Sequence, residues 1–330
     1  MSRTTSGALP PPEIIGEYFQ NGVDVCARMS GGSVNQTFSI SPTNGERTIL
    51  QQIGPMINPR TVEDYAVVAD HLATRGWKMA MPILSRLGSL TVEDATGSHW
   101  RATTYIPSDG KHPPLNLATG IALGRFMGKL DHDLSDLNFV PQHSIPGLRD
   151  EAGYVAQLLD VIPGMPPNDA DLSYSMIAAL AEENPIGGNA QPIHNDPKLG
   201  NILFLHKEPR AIIDWDNLIS APALYDLGDM LRSLTGELRD ADTDRFSPVT
   251  LLPTIEAYRR QFAPDESVGD FFERAIDATR VISLELAVRY MIDSVRGDYF
   301  QWDPDKYPDF VTQNQQKAFR QLNNYFALCW

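Results

Sequence analysis

Apolar and polar positions alternate through the first third of the chain. Val23, Val25, Ala27 and Met29 are separated by Asp24, Cys26 and Arg28, the period-two pattern of a strand buried on one face. After the turn Ser30-Gly31-Gly32-Ser33-Val34-Asn35, Phe38 and Ile40 share one face of a second strand over 37–41. A third strand over 47–53 follows the turn chemistry of Pro42-Thr43-Asn44-Gly45. The period then lengthens to that of a helix: Val62, Tyr65, Ala66, Ala69, Leu72 and Ala73 recur between Asn58-Pro59, read as an N-cap and a first-position proline, and Gly76. That stripe is core. Two more strands, over 89–93 and 99–106, flank the turn Asp94-Ala95-Thr96-Gly97.

Pro107-Ser108-Asp109-Gly110 breaks the pattern, and mostly helical sequence follows. Helices are predicted over 115–130, 154–162, 173–182, 224–234, 253–262 with Pro253 in the first turn, and 271–295. The prolines at 10–12 and at 163–167 read as a lead-in and a loop. One hairpin interrupts the helical region: Ile202-Leu203-Phe204-Leu205 and Ala211-Ile212-Ile213 are short β-leaning runs joined by His206-Lys207-Glu208-Pro209-Arg210. The expected class is α+β with two lobes. Residues 1–106 form a small antiparallel sheet with one helix, a nucleotide-binding lobe, and 107–330 a larger, mainly helical catalytic and substrate-binding lobe.

The hairpin matters because of what stands at its two ends. His194-Asn195-Asp196-Pro197-Lys198-Leu199-Gly200-Asn201 precedes it and Asp214-Trp215-Asp216 follows it. The hairpin would bring Asn201 and Asp214 face to face, and both offer the oxygen ligands that magnesium prefers. Phosphoryl transfer needs an aspartate to accept the proton of the attacking hydroxyl, an asparagine and a second aspartate to hold magnesium on the nucleotide, and positive charge near the moving group. H-x-D-x-x-x-x-N supplies the first two on one loop. Asp196 is therefore the candidate base, and Asn201 and Asp214 the candidate metal ligands. In the first lobe, Gly31 and Gly32, with Ser33 and Asn35, would let backbone amides approach a phosphate without Cβ hindrance.

With 330 residues, 42% hydrophobic and 21% charged, the chain is ordinary globular stock that can bury a core. A net charge of −15 argues against nucleic acid or an anionic membrane as partner, since both demand a basic face. Cys26 and Cys329 read as reduced thiols. No apolar leader or membrane-length run is found, so a cytoplasmic protein is expected. Monomer and homodimer stay equally open.

The loop, with Ile213-Asp214-Trp215-Asp216 and Tyr225-Asp226-Leu227-Gly228-Asp229, resembles the aminoglycoside phosphotransferase and choline kinase family, which has the protein-kinase-like fold. Within it the chain most resembles the N-acetylhexosamine 1-kinases, through Leu50-Gln51-Gln52-Ile53, Trp100-Arg101, Lys198, and Arg289-Tyr290-Met291-Ile292-Asp293 leading to Gly297-Asp298-Tyr299-Phe300. The resemblance implies that backbone groups at Tyr105 and Ile106 bind adenine and that Arg289 and Asp293 face the acceptor. One position departs from the pattern. Kinases carry a basic residue on the third strand to hold the phosphates, whereas this chain has Gln51 there, which can hydrogen-bond a phosphate but brings no charge. Lys198, two residues after the base, is the expected compensating cation.

The resulting expectation is a kinase that uses ATP and Mg2+ to phosphorylate a sugar hydroxyl, the anomeric hydroxyl of an N-acetylhexosamine. An aminoglycoside, choline or other amino-alcohol acceptor keeps the same chemistry, and the acidic total suits such cations. A non-catalytic nucleotide-binding module is the alternative of another class.

Overall fold

In the computed structural model, residues 9–29, 34–236 and 248–329 are described. The chain divides into two compact units, Met1–Pro107 with Pro141–Ile145, and Ser108–Val140 with Pro146–Trp330.

The first unit contains α1 (Pro12–Tyr18), β1 (Val23–Arg28), β2 (Gln36–Pro42), β3 (Thr48–Gln52), α2 (Thr61–Thr74), β4 (Pro82–Ile83), β5 (Thr91–Glu93) and β6 (His99–Thr104). The strands form one antiparallel sheet in the order β1-β2-β3-β6-β4, with β5 also on β6. Alternation sorts its faces. Phe38, Ile40, Leu50, Trp100 and Ala102 pack with Ile14 and Phe19 on one side, and Thr37, Ser39, Gln51 and Arg101 take the alternate positions. The proline lead-in is in fact the start of α1, with Pro12 at its first position, where a missing N–H costs nothing. Helix α2 begins at Thr61 and not at Pro59, because Asn58 Oδ1 accepts the Arg60 N–H at 3.0 Å in a turn that precedes it. Val68 is buried in its stripe and Ala73 is exposed. Asp64, also buried, accepts the N–H groups of Gln142 and His143 at 2.9 and 2.7 Å, which ties 141–145 to this unit.

The second unit contains α3 (Leu117–Leu134), α4 (Glu151–Val161), α5 (Pro167–Glu182), β7 (Ala190–Ile193), β8 (Ile202–Leu205), β9 (Glu208–Ile212), β10 (Ile219–Pro222), α6 (Leu224–Gly236), α7 (Pro248–Phe262), α8 (Val268–Arg296) and α9 (Phe310–Ala327). The short strands pair as β7 with β10 and β8 with β9, both antiparallel. Helices α4, α5, α8 and α9 share one apolar cluster. Pro167 opens α5 and is not loop. Pro253 lies inside α7, which starts at Pro248; burial of Leu251 and Ile255 extends the helix past the break that a proline would otherwise impose. Gly124 and Gly128 let α3 lie directly against α7: a Cβ there would come within 2.2 Å of the Thr254 carbonyl oxygen and 2.5 Å of that of Tyr258. Both cysteines are free. Among the described residues no helix is long and apolar enough to cross a membrane.

Candidate active site

The hairpin is tighter than its sequence suggests. Its turn is His206-Lys207 alone, both in the left-handed region at φ 55° and 70°, and β9 already begins at Glu208. Pro209 is accommodated at the register shift opposite Phe204, where a ladder hydrogen bond is not needed. Asp109 accepts the turn amides of His206 and Lys207 at 3.2 and 2.9 Å, so the break at 107–110 also braces the hairpin. At the open end the Ile213 N–H donates to the Asn201 carbonyl at 2.9 Å. Asn201 and Asp214 therefore leave the hairpin from the same end. Asp214 adopts φ 70°, ψ 60°, a left-handed conformation that Asp tolerates better than most residues.

The loop before the hairpin is held from several directions. His194 is fully buried, its imidazole pushed down to about 4 by that burial, so the ring is neutral. It donates from Nε2 to the Ile213 carbonyl at 2.9 Å, accepts the Asp196 N–H on Nδ1 at 3.3 Å and packs on Trp215 with ring centres 4.5 Å apart. Asn195 is left-handed at φ 64°. Its N–H and that of His194 both donate to the Asp226 carboxylate, at 2.6 and 2.7 Å. Arg149 donates to the Asn195 side-chain oxygen at 2.6 Å and to its backbone oxygen at 3.2 Å.

This scaffold presents Asp196 with its oxygens distinguished. Oδ2 receives Lys198 Nζ at 2.7 Å and Asn201 Nδ2 at 3.1 Å, and the same Nδ2 reaches the Asp196 carbonyl at 2.8 Å. Among the described residues Oδ1 accepts no hydrogen bond, and the side chain is 19% exposed. One carboxylate oxygen is thus fixed and the other can accept a hydroxyl proton. The Asn201 amide nitrogen is spent on Asp196, which leaves its oxygen as the atom that could ligate a metal.

Behind the loop runs a buried charge chain. Arg149 donates to Glu285 at 3.1 Å, and Glu285, fully buried in α8, lies 3.7 Å from Arg289 one turn on. Although burial opposes its charge, the Glu285 and Asp229 carboxylates hold Arg149 above the usual range. Arg289 sits over the rings of Tyr154 and Tyr299 at 5.5 and 4.9 Å. Asp293 does not line that group: its carboxylate accepts the N–H groups of Asp298, Tyr299 and Phe300 and the Asn314 amide at 2.8 to 3.0 Å, so it holds Tyr299 and Phe300 in place. Behind Asp226 stands Asp131, both buried. Tyr258 donates to Asp131 at 2.5 Å. Burial and the Asp226 charge push the Asp131 carboxyl far up, and it keeps its proton.

In the first unit, Gly31, Gly32 and Ser33 lie outside the described residues. Asn35 is buried and its Oδ1 accepts the Gly54 N–H at 2.9 Å, so its side chain anchors the chain after β3. Gln51 donates to Thr37 Oγ1 at 3.1 Å and accepts from Arg101 Nε at 3.0 Å. The Tyr105 N–H is committed to the Arg47 carbonyl at 3.3 Å, and Ile106 is buried. The sequence motifs assigned no role to Arg149, Asp226 or Glu285 around the loop. Asp226 stood inside the motif Tyr225-Asp226-Leu227-Gly228-Asp229 and Glu285 one helical turn before Arg289, whereas Arg149 carried no local signal.

A model of the phosphotransferase enzyme family, APH, matches residues 25–267. The chain belongs to this family. The matched span runs from β1 into the chain before α8 and includes the loop, the hairpin and Asp214. An amicoumacin kinase solved with AMP-PNP, Ca2+ and Ami is similar at a TM-score of 0.64 and 13% identity, over 96% of this chain and 92% of that one. A choline/ethanolamine kinase family protein from Mesorhizobium loti is similar at 0.57 and 17%, over 97% and 95%. A spectinomycin phosphotransferase solved with ADP and spectinomycin is similar at 0.59 and 12%, over 96% of each. No curated protein matches the chain. The fold of this phosphotransferase is protein-kinase-like, with a sheet-rich first unit and a helical second one.

Proposed function

We propose that this phosphotransferase moves the terminal phosphoryl group of ATP, with magnesium, to the anomeric 1-hydroxyl of an N-acetylhexosamine. The observation that carries the chemistry is the division of labour on Asp196: Oδ2 held by Lys198 and Asn201, Oδ1 open. As the acceptor oxygen bonds to phosphorus, the phosphorus bond to the diphosphate oxygen breaks, ADP leaves, and the acceptor's proton passes to Asp196 Oδ1. Lys198, 2.7 Å from Asp196, places positive charge beside the moving group. The donor set fits magnesium: an amide oxygen from Asn201 and a carboxylate from Asp214, on one end of a pinned hairpin, leave the remaining positions to phosphate oxygens and water. When bound there the ion would neutralise charge on the phosphates.

Two arginines favour a neutral acceptor. Arg149 touches Asn195, the neighbour of the proposed base, and Arg289 lies over Tyr299, a pairing of aromatic faces and donors that suits a sugar ring. An amino-alcohol or aminoglycoside acceptor is the second reading, supported by the acceptors in the names of the similar structures and by the net charge of −15. ADP release, with phosphorus NMR of the product, across free hexoses, N-acetylhexosamines, aminoglycosides and choline separates them. Turnover of N-acetylhexosamines to an anomeric phosphate is expected. Turnover of choline or aminoglycosides alone would replace it with the second reading, and no ADP with any acceptor would leave a nucleotide-binding module.

A further inference from the structure

Two buried carboxylates meet behind the loop that carries Asp196. Asp226 on α6 is already engaged, one oxygen accepting the Asn195 N–H and the other the His194 N–H, and Asp229 and Arg149 act on it with opposite signs. Asp131 on α3 is fully buried, and its side chain lies within hydrogen-bond reach of that of Asp226. Its Oδ2 accepts the Tyr258 hydroxyl, whereas its Oδ1, buried as well, receives no N–H or O–H among the described residues. From α7 Asp131 faces Tyr258, from α6 Asp226, and from β7 Gln191, whose amide donates to the Asp131 carbonyl at 2.7 Å. The charged residues of β9, Glu208 and Arg210, are exposed. The sequence allows this closeness: Gly128, three residues before Asp131, lets α3 rest on the backbone of Tyr258.

We propose that Asp131 is a positioning residue for this loop: as the un-ionised acid it donates a hydrogen bond to Asp226, and so holds Asp226 against the amides of His194 and Asn195. The inference rests on the reading of Asp196 as the base. Two carboxylates in contact away from water do not both carry charge, and one proton between them turns a repulsion into a charge-assisted hydrogen bond. Geometry places that proton on Asp131. Asp226 accepts two backbone N–H groups, which favours its charged form, while Asp131 has one oxygen that nothing donates to and only a hydroxyl at the other. Burial and the Asp226 charge push the Asp131 carboxyl up in the same sense. The anchor matters because Asn195 is left-handed at φ 64°, a conformation that persists only where its surroundings enforce it. Tyr258, Asp131, Asp226 and the loop amides thus form a line of fixed positions that ends one residue before Asp196.

Hydrogen exchange, read amide by amide by NMR, tests the anchor without relying on turnover. Asp131→Leu removes the donor to Asp226, so exchange at the His194 and Asn195 amides should accelerate about ten- to a hundredfold while amides in α8 and α9 keep their protection. Leucine also leaves the Tyr258 hydroxyl without its acceptor. Asp131→Leu combined with Tyr258→Phe removes both partners of that bond, and should show the same local loss in a fold spared the penalty. Asp131→Asn keeps a donor toward Asp226 and should restore the protection. In infrared difference spectra at neutral pH, the carbonyl band of an un-ionised carboxylic acid should be present in the unaltered protein and absent from Asp131→Asn. The leucine variants should lose kcat about ten- to a hundredfold with the Michaelis constant for ATP little changed, and Asp131→Asn should regain it. Absence of the acid band, unchanged exchange at His194 and Asn195 in the double variant, no rescue by asparagine, or a loss of protection spread evenly over α8 and α9 would overturn the proposal. Absence of turnover in the unaltered protein would instead refute the reading of Asp196 as the base, and the exchange rates and the acid band would still decide the anchor.

Discussion

Arg149 grips Asn195 twice, at its side-chain oxygen and its backbone oxygen, 2.6 and 3.2 Å away. Both residues are left-handed, at φ 60° and 64°, so the bend that aims Asp196 is maintained by a buried cation and not by local preference. That cation is matched by Glu285, whose side chain is fully buried. Arg149→Met leaves a buried carboxylate short of its partner and should cost about 3 kcal/mol or more of stability. Adding Glu285→Gln should recover a large part of that loss. Denaturant unfolding of the two single variants and the double variant measures it; strictly additive losses would show that the pair is not the connection.

Asp131 gives a pH-dependent test. Its carboxyl is raised by burial and by Asp226, so the native state keeps a proton above the pH, about 4, at which the unfolded chain releases it. The native state then binds more protons than the unfolded one, and stability falls as pH rises from about 4 through neutrality. Asp131→Asn mimics the protonated acid and removes that dependence. Measured against the unaltered protein, its stability should rise with pH, by about 1.4 kcal/mol for each pH unit between about 5.5 and 8.5 over which the native Asp131 keeps its proton. Equal penalties at both pH values would mean that Asp131 is ionised in the fold.

Lys198 is 29% exposed and bound to Asp196, the proposed base, so its loss should spare the fold. Lys198→Ala should lower turnover by about two to three orders of magnitude, with a smaller change in the acceptor's Michaelis constant. Near-normal kcat in steady-state kinetics would return the residue to the solvated surface.

Asp214 calls for a substitution that respects its φ of 70°. Asparagine tolerates the left-handed region and removes only the charge. Asp214→Asn should retain its melting temperature within a degree or two and require far more magnesium for activity. A magnesium dependence like that of the unaltered protein would make the aspartate a structural turn residue.

Local pattern revealed the parts of this molecule whose causes are local. Period-two alternation marked the strands, and the two apolar runs after Asn201 marked the hairpin that carries Asn201 and Asp214 to one end. What escaped depends on pairing across long separations. Arg101 meets Gln51 only through the β3–β6 register, and Arg149 reaches Asn195 from 46 positions away. Asn35 looked like part of a phosphate-binding turn, but its amide holds Gly54. The four-residue spacing of Arg289 and Asp293 suggested one acceptor-facing pair, whereas α8 turns Arg289 to the aromatic rings and Asp293 to the backbone of 298–300. Pro253 misled because a helix stabilised by tertiary burial can carry a proline that an isolated helix could not.

The most direct measurement is the turnover of Asp196→Asn with its nucleotide affinity determined on the same sample. The substitution preserves shape and leaves an oxygen to accept from Asn201, and it removes the charge that takes the acceptor's proton and pairs with Lys198. Turnover should fall by roughly two to four orders of magnitude while the dissociation constant for Mg·ATP changes little. Turnover within a few fold of the unaltered protein would contradict the assignment of Asp196 as the base.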